Sequence, residues 1–391
     1  MKHCQVTAPA AQKLKAGRRL LEAQDFKMPL PSDGQCVALY RKQDFLGQAL
    51  LARHKQGLGW LYTEQTVPLD QAYFNKSLHQ AVSFRQKLFA DPLTNAFRLY
   101  NGDGDGLGGF TIDRYGSYAV IQWYSQVLYN YRAQIISALK TAWPACQGVI
   151  GKNRFQTGSR SLPVSELLAG EEPPEAFTIL ENGVTYVVRL NEHWMTGIFL
   201  DQRSVRQYVQ TELAPGRRVC NTFSYTGAFS VAAAMGGALA TVSVDVANRT
   251  QALTEEQFQA NGLSLEPHVI RVMDTFSYFR WAKRHDKHFD LVIMDPPSFA
   301  RHKKGIFKAT QDYRALAQEA CAILAKQGYL LASTNAAQYD RARFKADIEG
   351  AMQASGRSYR LAQEFSLPAD FPTPAASPES DYLKVFIYQV A

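Results

Sequence analysis

The sequence predicts an α/β protein whose C-terminal half forms a parallel sheet and whose N-terminal half forms two smaller modules. Two observations favour this fold class. From Arg203 onward, short apolar runs typical of buried strands alternate with helix-like segments, which indicates a parallel sheet covered by helices. Three of these runs end in an acid (Asp245, Asp274 and Asp295), at the edge where open α/β sheets bind ligands.

Length and composition limit the alternatives. A chain of 391 residues is too long for one ordinary core, and we expect domains over residues 1–72, 73–185 and 186–391. A net charge of +8 favours an anionic partner without specifying it. The five cysteines are scattered, so we expect neither a disulfide framework nor a metal site, and the cytoplasm is favoured. No apolar run approaches the length of a membrane span.

Residues 1–72 carry strand-like runs at 36–40, 45–51 and 59–62 and predict a small β-barrel. Two interpretations of its basic residues stay open, a solvated surface or a face that contacts RNA phosphates. The residues concerned are Lys2, Arg18, Arg19, Arg41, Lys42, Arg53 and Lys55.

Residues 73–185 predict an α+β module with a glycine-rich turn. A calcium loop starting at Asn101 would need a bidentate Glu at its twelfth position, where this chain has Ile112. We therefore interpret 101–107 as a turn between strands. The acidic stretch 163–175 predicts a surface loop, and a turn at Asn182-Gly183 predicts a hairpin.

The loop at 223–228, after a strand predicted at 218–221, separates two cofactor classes. An acid that ends the second strand of a nucleotide fold accepts hydrogen bonds from ribose, which suits Asp245, and Asp274 suits the adenine amine. A dinucleotide needs several glycines so that the backbone can approach its pyrophosphate, but this loop carries only Gly227. The sequence therefore favours a methyltransferase that uses S-adenosylmethionine over a dehydrogenase.

The turn that follows the apolar run 291–294 predicts the reaction. Two prolines after Asp295 cannot continue a strand, so the carboxylate stands at the strand end. Phe299 can stack on a flipped base, or can instead cover the end of the sheet. We therefore predict methyl transfer to a nucleobase. A basic run follows as a candidate clamp for RNA, with a solvated loop as the alternative: Arg301, Lys303 and Lys304.

Four motifs resemble, in this order, those of class I methyltransferases of bacterial large-subunit ribosomal RNA. They are TGIFLDQR at 196–203, NTFSYTG at 221–227, DPPSF at 295–299 and DYLK at 381–384. This family includes PUA-containing cytosine-C5 enzymes and related guanine-N7 enzymes. The resemblance implies a Rossmann-like seven-stranded domain with one antiparallel strand, preceded by a small PUA-like β-barrel and a central α+β domain.

The resemblance also implies the site. The cofactor would be bound by Asp201, Arg203, Asn221, Phe223, Tyr225, Thr226, Gly227, Asp245, Asp274 and Asp295. The catalytic pocket would be formed by Asp295, Pro296, Pro297 and Phe299, and Ser333 and Asn335 are placed to contact a base edge. The partner would be 23S ribosomal RNA or a pre-50S particle, and a homodimer is one option for the oligomeric state.

One departure from the family pattern changes the expected chemistry. Cytosine-C5 methylation needs a cysteine that attacks C6, and the C5 enzymes carry it after the fifth strand. Thr334 stands at that place here, and neither Cys220 nor Cys321 is positioned to replace the thiol. We therefore predict methylation of a base nitrogen. A cytosine-C5 enzyme, a transfer-RNA methyltransferase and a non-catalytic RNA-binding factor remain as alternatives.

Overall fold

The computed structural model describes every residue except 28–29, 55–56, 156–161, 193, 303–304 and 378, and it describes the backbone alone at 300–302 and 305. The chain divides into two compact units. Unit 1 comprises Met1–Ile179, Val188–Thr196 and Ala369–Ser380, and unit 2 comprises Leu180–Val187, Gly197–Pro368 and Asp381–Ala391.

Unit 1 begins with a small mixed sheet. Its elements are β1 (Lys2–Gln5), α1 (Ala8–Lys15), β2 (Leu20–Leu21), a 3-10 turn (Ala23–Asp25), β3 (Cys36–Arg41), β4 (Asp44–His54) and β5 (Gly57–Thr63). The five strands have the order β1-β3-β4-β5-β2, in which β1 pairs parallel with β3. Val37, Leu39 and Leu51 pack with Leu14 of α1 in its core.

Unit 1 continues with a second sheet of five strands, in the order β10-β9-β8-β7-β6. Its elements are α2 (Gln71–Phe84), α3 (Gln86–Phe89), β6 (Ala96–Asn101), a 3-10 turn (Gly102–Asp105), β7 (Phe110–Tyr115), β8 (Tyr118–Trp123), α4 (Gln126–Asn130), α5 (Arg132–Ala142), β9 (Gly148–Asn153) and β10 (Ser165–Gly170). At the glycine-rich turn, the carboxylate of Asp105 faces the buried guanidinium of Arg85 at 2.7 Å.

The prediction of a surface loop over 163–175 is wrong, because this stretch contains β10. Ser165 of β10 lies opposite Lys152 of β9, so the strand extends the sheet at its edge. An edge strand leaves backbone groups and side chains open to water, so its sequence needs no strong apolar alternation. One acidic residue of β10 contacts the neighbouring strand: Glu166 accepts a hydrogen bond from Asn153 Nδ2 of β9 at 2.8 Å.

The predicted hairpin is present as β11 (Phe177–Glu181) and β12 (Val184–Val188). Asn182 and Gly183 have positive φ angles of 52° and 77°. Two successive left-handed residues match the turn that joins twisted antiparallel strands, which explains the Asn-Gly pair.

Unit 2 is built on a seven-stranded sheet. Its strands are β13 (Arg218–Thr222), β14 (Ala240–Asp245), β15 (Val269–Val272), β16 (Phe289–Met294), β19 (Leu324–Thr334), β20 (Tyr359–Phe365) and β21 (Lys384–Val390), with a hairpin of β17 (Phe299–His302) and β18 (Gly305–Lys308) outside it. Its helices are α6 (Arg203–Tyr208), α7 (Ala228–Met235), α8 (Thr250–Ala260), α9 (Thr275–Arg284), α10 (Ala309–Cys321) and α11 (Arg341–Ala354), with a 3-10 turn (Leu200–Gln202) before α6 and a π-helical turn (Val209–Leu213) after it.

The strand order β15-β14-β13-β16-β19-β21-β20, with only β21 antiparallel to its neighbours, confirms the expected sheet. Residues of the central strand alternate between two cores, since Leu291 and Ile293 pack on one side and Val292 and Met294 on the other. Both faces of β16 are therefore buried, as its apolar run predicts. None of the described helices is long and apolar enough to cross a membrane.

Candidate functional site

The candidate site lies at the carboxyl edge of the parallel strands of unit 2. Thr222 at the end of β13 lies opposite both Val244 of β14 and Met294 of β16. Asp245 at the end of β14 lies opposite Val272 of β15. The loop after β13 and the acids that follow the next three strands therefore meet at one edge, where such sheets bind ligands.

The loop after β13 has a strained backbone. Phe223 and Tyr225 have φ angles of 54° and 53°, a region that side chains with a Cβ atom rarely adopt. Strain of this kind concentrates at ligand-binding sites. The Asp245 carboxylate stabilises the loop, because it accepts hydrogen bonds from the amides of Tyr225 (2.9 Å) and Ala247 (3.0 Å).

Gly227, which closes this loop and precedes α7, is required for two reasons. Its φ of 80° lies in the left-handed region. A Cβ atom at this position would also lie 2.5 Å from Cγ2 of Thr254 on α8. The single glycine of the loop therefore serves helix packing as well as the turn.

Three further residues, one at the end of β13 and two in the loop, are buried. Asn221 donates from Nδ2 to Ser230 Oγ at 3.0 Å, inside the sheet–helix interface. Thr226 donates from Oγ1 to the carbonyl of Gly197 at 2.7 Å, which ties the loop to the segment 197–203. Ser224 Oγ is buried and has no hydrogen-bond partner among the described residues. Such an atom is costly unless a ligand or water satisfies it.

The other predicted cofactor residues also have protein partners. Asp274 caps α9, since its Oδ1 accepts from the amide and the hydroxyl of Ser277, both at 3.0 Å. Asp201 accepts from the Tyr382 hydroxyl at 2.8 Å. Arg203 is 8% exposed. Their roles toward a cofactor stay predictions.

Asp295 follows β16 and sits in a low-dielectric environment. The pKa of Asp295 is raised to about 6, mainly by burial and also by the nearby Asp201 carboxylate. Hydrogen bonds from Ser333 and Gln202 and the charge of Arg206 oppose this rise in the pKa. Gln202 Nε2 donates to Asp295 Oδ1 at 3.2 Å and to Ser333 Oγ at 2.7 Å. One buried amide thus joins the ends of β16 and β19.

Around Asp295, the other predicted pocket residues lie as follows. Pro296 is buried and Pro297 is exposed. Ser298 Oγ donates to Asn335 Oδ1 at 3.0 Å, so the turn after β16 contacts the turn after β19. Phe299 is 60% exposed, which leaves its ring available for stacking.

Thr334 occupies the position where a cysteine would favour methylation of cytosine C5 over methylation of a base nitrogen. Its side chain is fully buried, and Oγ1 accepts a hydrogen bond from the amide of Ala336 at 3.3 Å. Cys220 and Cys321 lie in the hydrophobic core, and burial raises the pKa of both thiols. No nucleophilic thiol therefore adjoins Asp295 among the described residues.

The predicted RNA-binding residues occupy different environments. Arg18 is 9% exposed and forms ion pairs with Glu22 (3.1 Å) and Glu379 (3.4 Å). Arg19 is half-buried. Arg41 is the last residue of β3, and the exposed Lys42 lies in the turn between β3 and β4. Lys303 and Lys304 lie outside the described residues, as does the side chain of Arg301.

Sequence reasoning missed three features of the site. Gln202 lies inside a quoted motif, between Asp201 and Arg203, but spacing alone does not show which side chain of a 3-10 turn points inward. The hydroxyl of Tyr313 on α10 lies 2.9 Å from the carbonyl oxygens of both Met294 and Ser333, which share its one proton. The third is the buried pair of Arg206 and Glu181, with Arg206 Nε at 2.6 Å from Oε1.

A family model described as S-adenosylmethionine-dependent methyltransferase matches residues 125–380. The chain belongs to this methyltransferase family. The methyltransferase prediction is therefore confirmed over the dehydrogenase alternative. A second model, of a PUA-like domain, matches residues 5–64 and confirms the class of the N-terminal sheet.

Named relatives share most of the methyltransferase chain. A Bacillus subtilis (strain 168) protein, provisionally named ribosomal RNA large subunit methyltransferase YwbD, is 46% identical over 347 residues, 88% of each chain. Ribosomal RNA large subunit methyltransferase I of Yersinia pestis bv. Antiqua (strain Angola) is 33% identical over 348 residues, again 88% of each.

Solved structures agree with the fold of this methyltransferase. The crystal structure of SMU.776, described as a methyltransferase complexed with SAH, covers 100% of both chains with 42% identity and a TM-score of 0.93. A methyltransferase structure from Streptococcus mutans covers 100% of both chains with 41% identity and a TM-score of 0.91.

The residues present fit S-adenosylmethionine. The edge carries carboxylates, which suit ribose hydroxyls and amines and would repel a pyrophosphate. The unpartnered hydroxyl of Ser224 offers a donor and an acceptor inside the strained loop. Among the described residues, no group of three or more His, Cys, Asp and Glu side chains could hold a metal ion.

Proposed function

We propose that this methyltransferase modifies a base nitrogen of 23S ribosomal RNA, as free RNA or within a pre-50S particle. The names of the relatives and the PUA-like domain support ribosomal RNA as the substrate. The choice of nitrogen rests on two neighbouring strand ends, which carry the partly buried carboxylate of Asp295 and a threonine at 334.

In this proposal, the pocket works by positioning. S-adenosylmethionine supplies an electrophilic methyl group when bound. The Asp295 carboxylate accepts a hydrogen bond from the target base and fixes its edge, and Gln202 and Ser333 hold that carboxylate in place. Phe299 stacks on the flipped base and Asn335 contacts its edge. A ring nitrogen with an in-plane lone pair needs no deprotonation, so orientation supplies most of the rate enhancement.

A cytosine-C5 mechanism is not supported by these residues. It would need a thiolate near the base, and the Thr334 hydroxyl is buried and engaged with the backbone. A neutral alcohol is a much weaker nucleophile than a thiolate. Detection of 5-methylcytosine formed by the pure enzyme would refute the nitrogen proposal.

We further propose the cofactor roles that the sequence predicts: Asp245 for ribose, Asp274 for adenine, and the loop 221–227 for the methionine part. Asp201 and Arg203 would close the site from the preceding segment. The domain limits at 72 and 185 are likewise proposals, as are a cytoplasmic location and a homodimer. All five cysteines are free, which agrees with a reducing compartment. Sedimentation of the pure protein measures its oligomeric state.

The test uses 23S ribosomal RNA from a strain that lacks this protein. The pure enzyme should transfer labelled methyl groups to that RNA or to its pre-50S particles, and not to the same material from the parent strain. Mass spectrometry of nuclease fragments then identifies the nucleotide and the atom. Transfer only to transfer RNA would assign a different substrate, and tight RNA binding without any cofactor binding would indicate a non-catalytic factor.

A further inference from the structure

A basic surface lies on unit 2, on the segment that runs from the edge strand β15 to β16. Five exposed cations lie between the edge strand β15 and the start of β16, and we name them the α9 surface: Arg271, Arg280, Lys283, Arg284 and Lys287. The buried side of α9 is formed by Tyr278, Phe279 and Ala282, so Arg280, Lys283 and Arg284 share its outer side.

Within the described part of the chain, the cations of the α9 surface lack carboxylate partners. Among the described residues, none of the five forms an ion pair with a carboxylate. The exposed acid of this segment, Asp286, is bonded to His288 at 3.0 Å. Like charges three and four residues apart on a helix repel one another, so an external anion would be attracted to this surface.

Helix stability explains only part of this pattern. Lys283 and Arg284 lie in the last turn of α9, where cations interact favourably with the helix dipole. That effect fades within one turn, so it does not account for Arg280 in the middle of the helix or for Arg271 on β15. Helix stability therefore does not explain why five exposed cations lie together on this surface.

Aromatic rings give the α9 surface a defined shape. The guanidinium of Arg271 lies 6.0 Å from the ring centre of Trp281, and that ring stacks on His285 with centres 4.6 Å apart. A cation held over a ring is presented in a narrower range of positions than one on a free side chain. This arrangement favours a partner with regularly placed negative charges.

The position of the α9 surface relates it to the candidate site. α9 begins directly after Asp274, at the carboxyl edge of the sheet. Arg280 lies six residues further on, which at 1.5 Å per residue is about 9 Å along the helix axis. The cations thus start close to the proposed cofactor edge and continue away from it.

We propose that the α9 surface binds the phosphate backbone of the substrate RNA beside the methylated site. This inference rests on the proposed function and adds a second RNA contact, on unit 2, to any made by the PUA-like domain. Phosphates are the regularly spaced anions that unpaired Arg and Lys side chains bind, and such contacts are salt-dependent and independent of sequence.

The test compares the wild type with Lys283→Gln/Arg284→Gln, which removes two cations and keeps good helix formers. Each lost phosphate contact lowers the slope of log affinity against log salt by about 0.7–0.9. Two contacts should therefore weaken binding of 23S ribosomal RNA from the deletion strain roughly 25–60-fold at about 0.1 M salt. The KM for RNA should rise by a similar factor. S-adenosylmethionine affinity, measured by calorimetry, should stay unchanged and reports correct folding.

The matched control is Lys87→Gln/Lys140→Gln, which removes two exposed cations of unit 1. It should change the affinity for RNA less than twofold. The inference is overturned if the α9 variant keeps the wild-type salt slope, or if the control loses as much affinity. Normal affinity for RNA with weaker binding of pre-50S particles would assign the surface to a ribosomal protein. A wild type that methylates no ribosomal RNA would instead defeat the proposed function.

Discussion

Replacing Asp295 with Asn should stabilise unit 2 at neutral pH while it stops methyl transfer. Burial raises the pKa of this carboxyl from its ordinary 3.8 to about 6. Ionisation is therefore less favourable in the folded protein than in the unfolded chain, by about two pKa units or about 3 kcal/mol. Asn removes that penalty, but it also removes the negative charge and replaces one of the two acceptor oxygens with an NH2 donor, so it weakens the proposed positioning of the base.

The direction of the pKa shift of Asp295 determines the pH range in which its charge lowers the stability of the protein. Well below pH 3.8, Asp295 is protonated in both states and carries no penalty. The penalty grows as pH rises toward about 6 and is constant above it. The free energy of unfolding of the Asn variant, relative to the wild type, should therefore rise by about 2.5 kcal/mol between pH 4 and pH 7. A constant offset from altered hydrogen bonds, such as rotation of the Gln202 amide, cancels in this comparison.

The measurement is urea unfolding of both proteins across this pH range, with hydrogen exchange of β16 and β19 reporting on unit 2. Asp286→Asn is the matched control, because that side chain is 95% exposed and burial does not penalise its charge. A stability difference that is independent of pH would refute the reasoning about burial. Wild-type rates of methyl transfer by the Asn variant would refute the assigned role.

The remaining predictions concern the same edge of the sheet. The rate of methyl transfer by the wild type should rise with pH through about 6, where Asp295 ionises. Gln202→Ala should shift this rise to higher pH, because it removes a hydrogen-bond donor that favours the ionised carboxylate. Profiles of kcat/KM against pH, recorded with saturating cofactor, measure both effects. Gly227→Ala should destabilise the protein by about 1–3 kcal/mol and weaken S-adenosylmethionine binding. Adding Thr254→Ser to this variant removes the methyl group that the new Cβ contacts, so it should restore part of both losses. Thermal melting measures the stability, and calorimetry measures the cofactor affinity. Thr334→Ala should retain appreciable methyl transfer and lose only about 1 kcal/mol of stability with one hydrogen bond, so a dead enzyme that is correctly folded would contradict the non-covalent mechanism.

The sequence predicts the architecture of unit 2 well, because its apolar runs and its strand-ending residues indicate the same strands. The run 291–294 is apolar on both faces, and two prolines end it, so both the burial of the strand and the place of Asp295 follow from local rules. The acidic strand β10 was missed for the opposite reason. Its pairing with β9 is a tertiary contact, and its half-exposed residues show no clear alternation of apolar and polar side chains.

Side-chain direction is the part of the site that the sequence could not supply. Asp201, Gln202 and Arg203 are adjacent, and only the fold shows that the middle residue bridges two strand ends. Asn221 illustrates the reverse, since its place in a motif suggests a cofactor contact while its amide bonds to Ser230 in the interior. Contacts between residues distant in sequence decide both cases.

The hydroxyl of Tyr313 has a consequence for how the pocket responds to strain. A phenol carries one proton, yet two carbonyl oxygens, of Met294 and Ser333, lie within 2.9 Å of it. The two carbonyls must share that proton, so neither receives the full strength of its hydrogen bond. A displacement that strengthens the bond to one carbonyl weakens the bond to the other, so the ends of β16 and β19 are mechanically coupled through a single hydroxyl group. Tyr313→Phe would uncouple them and leave both carbonyls competing for other donors.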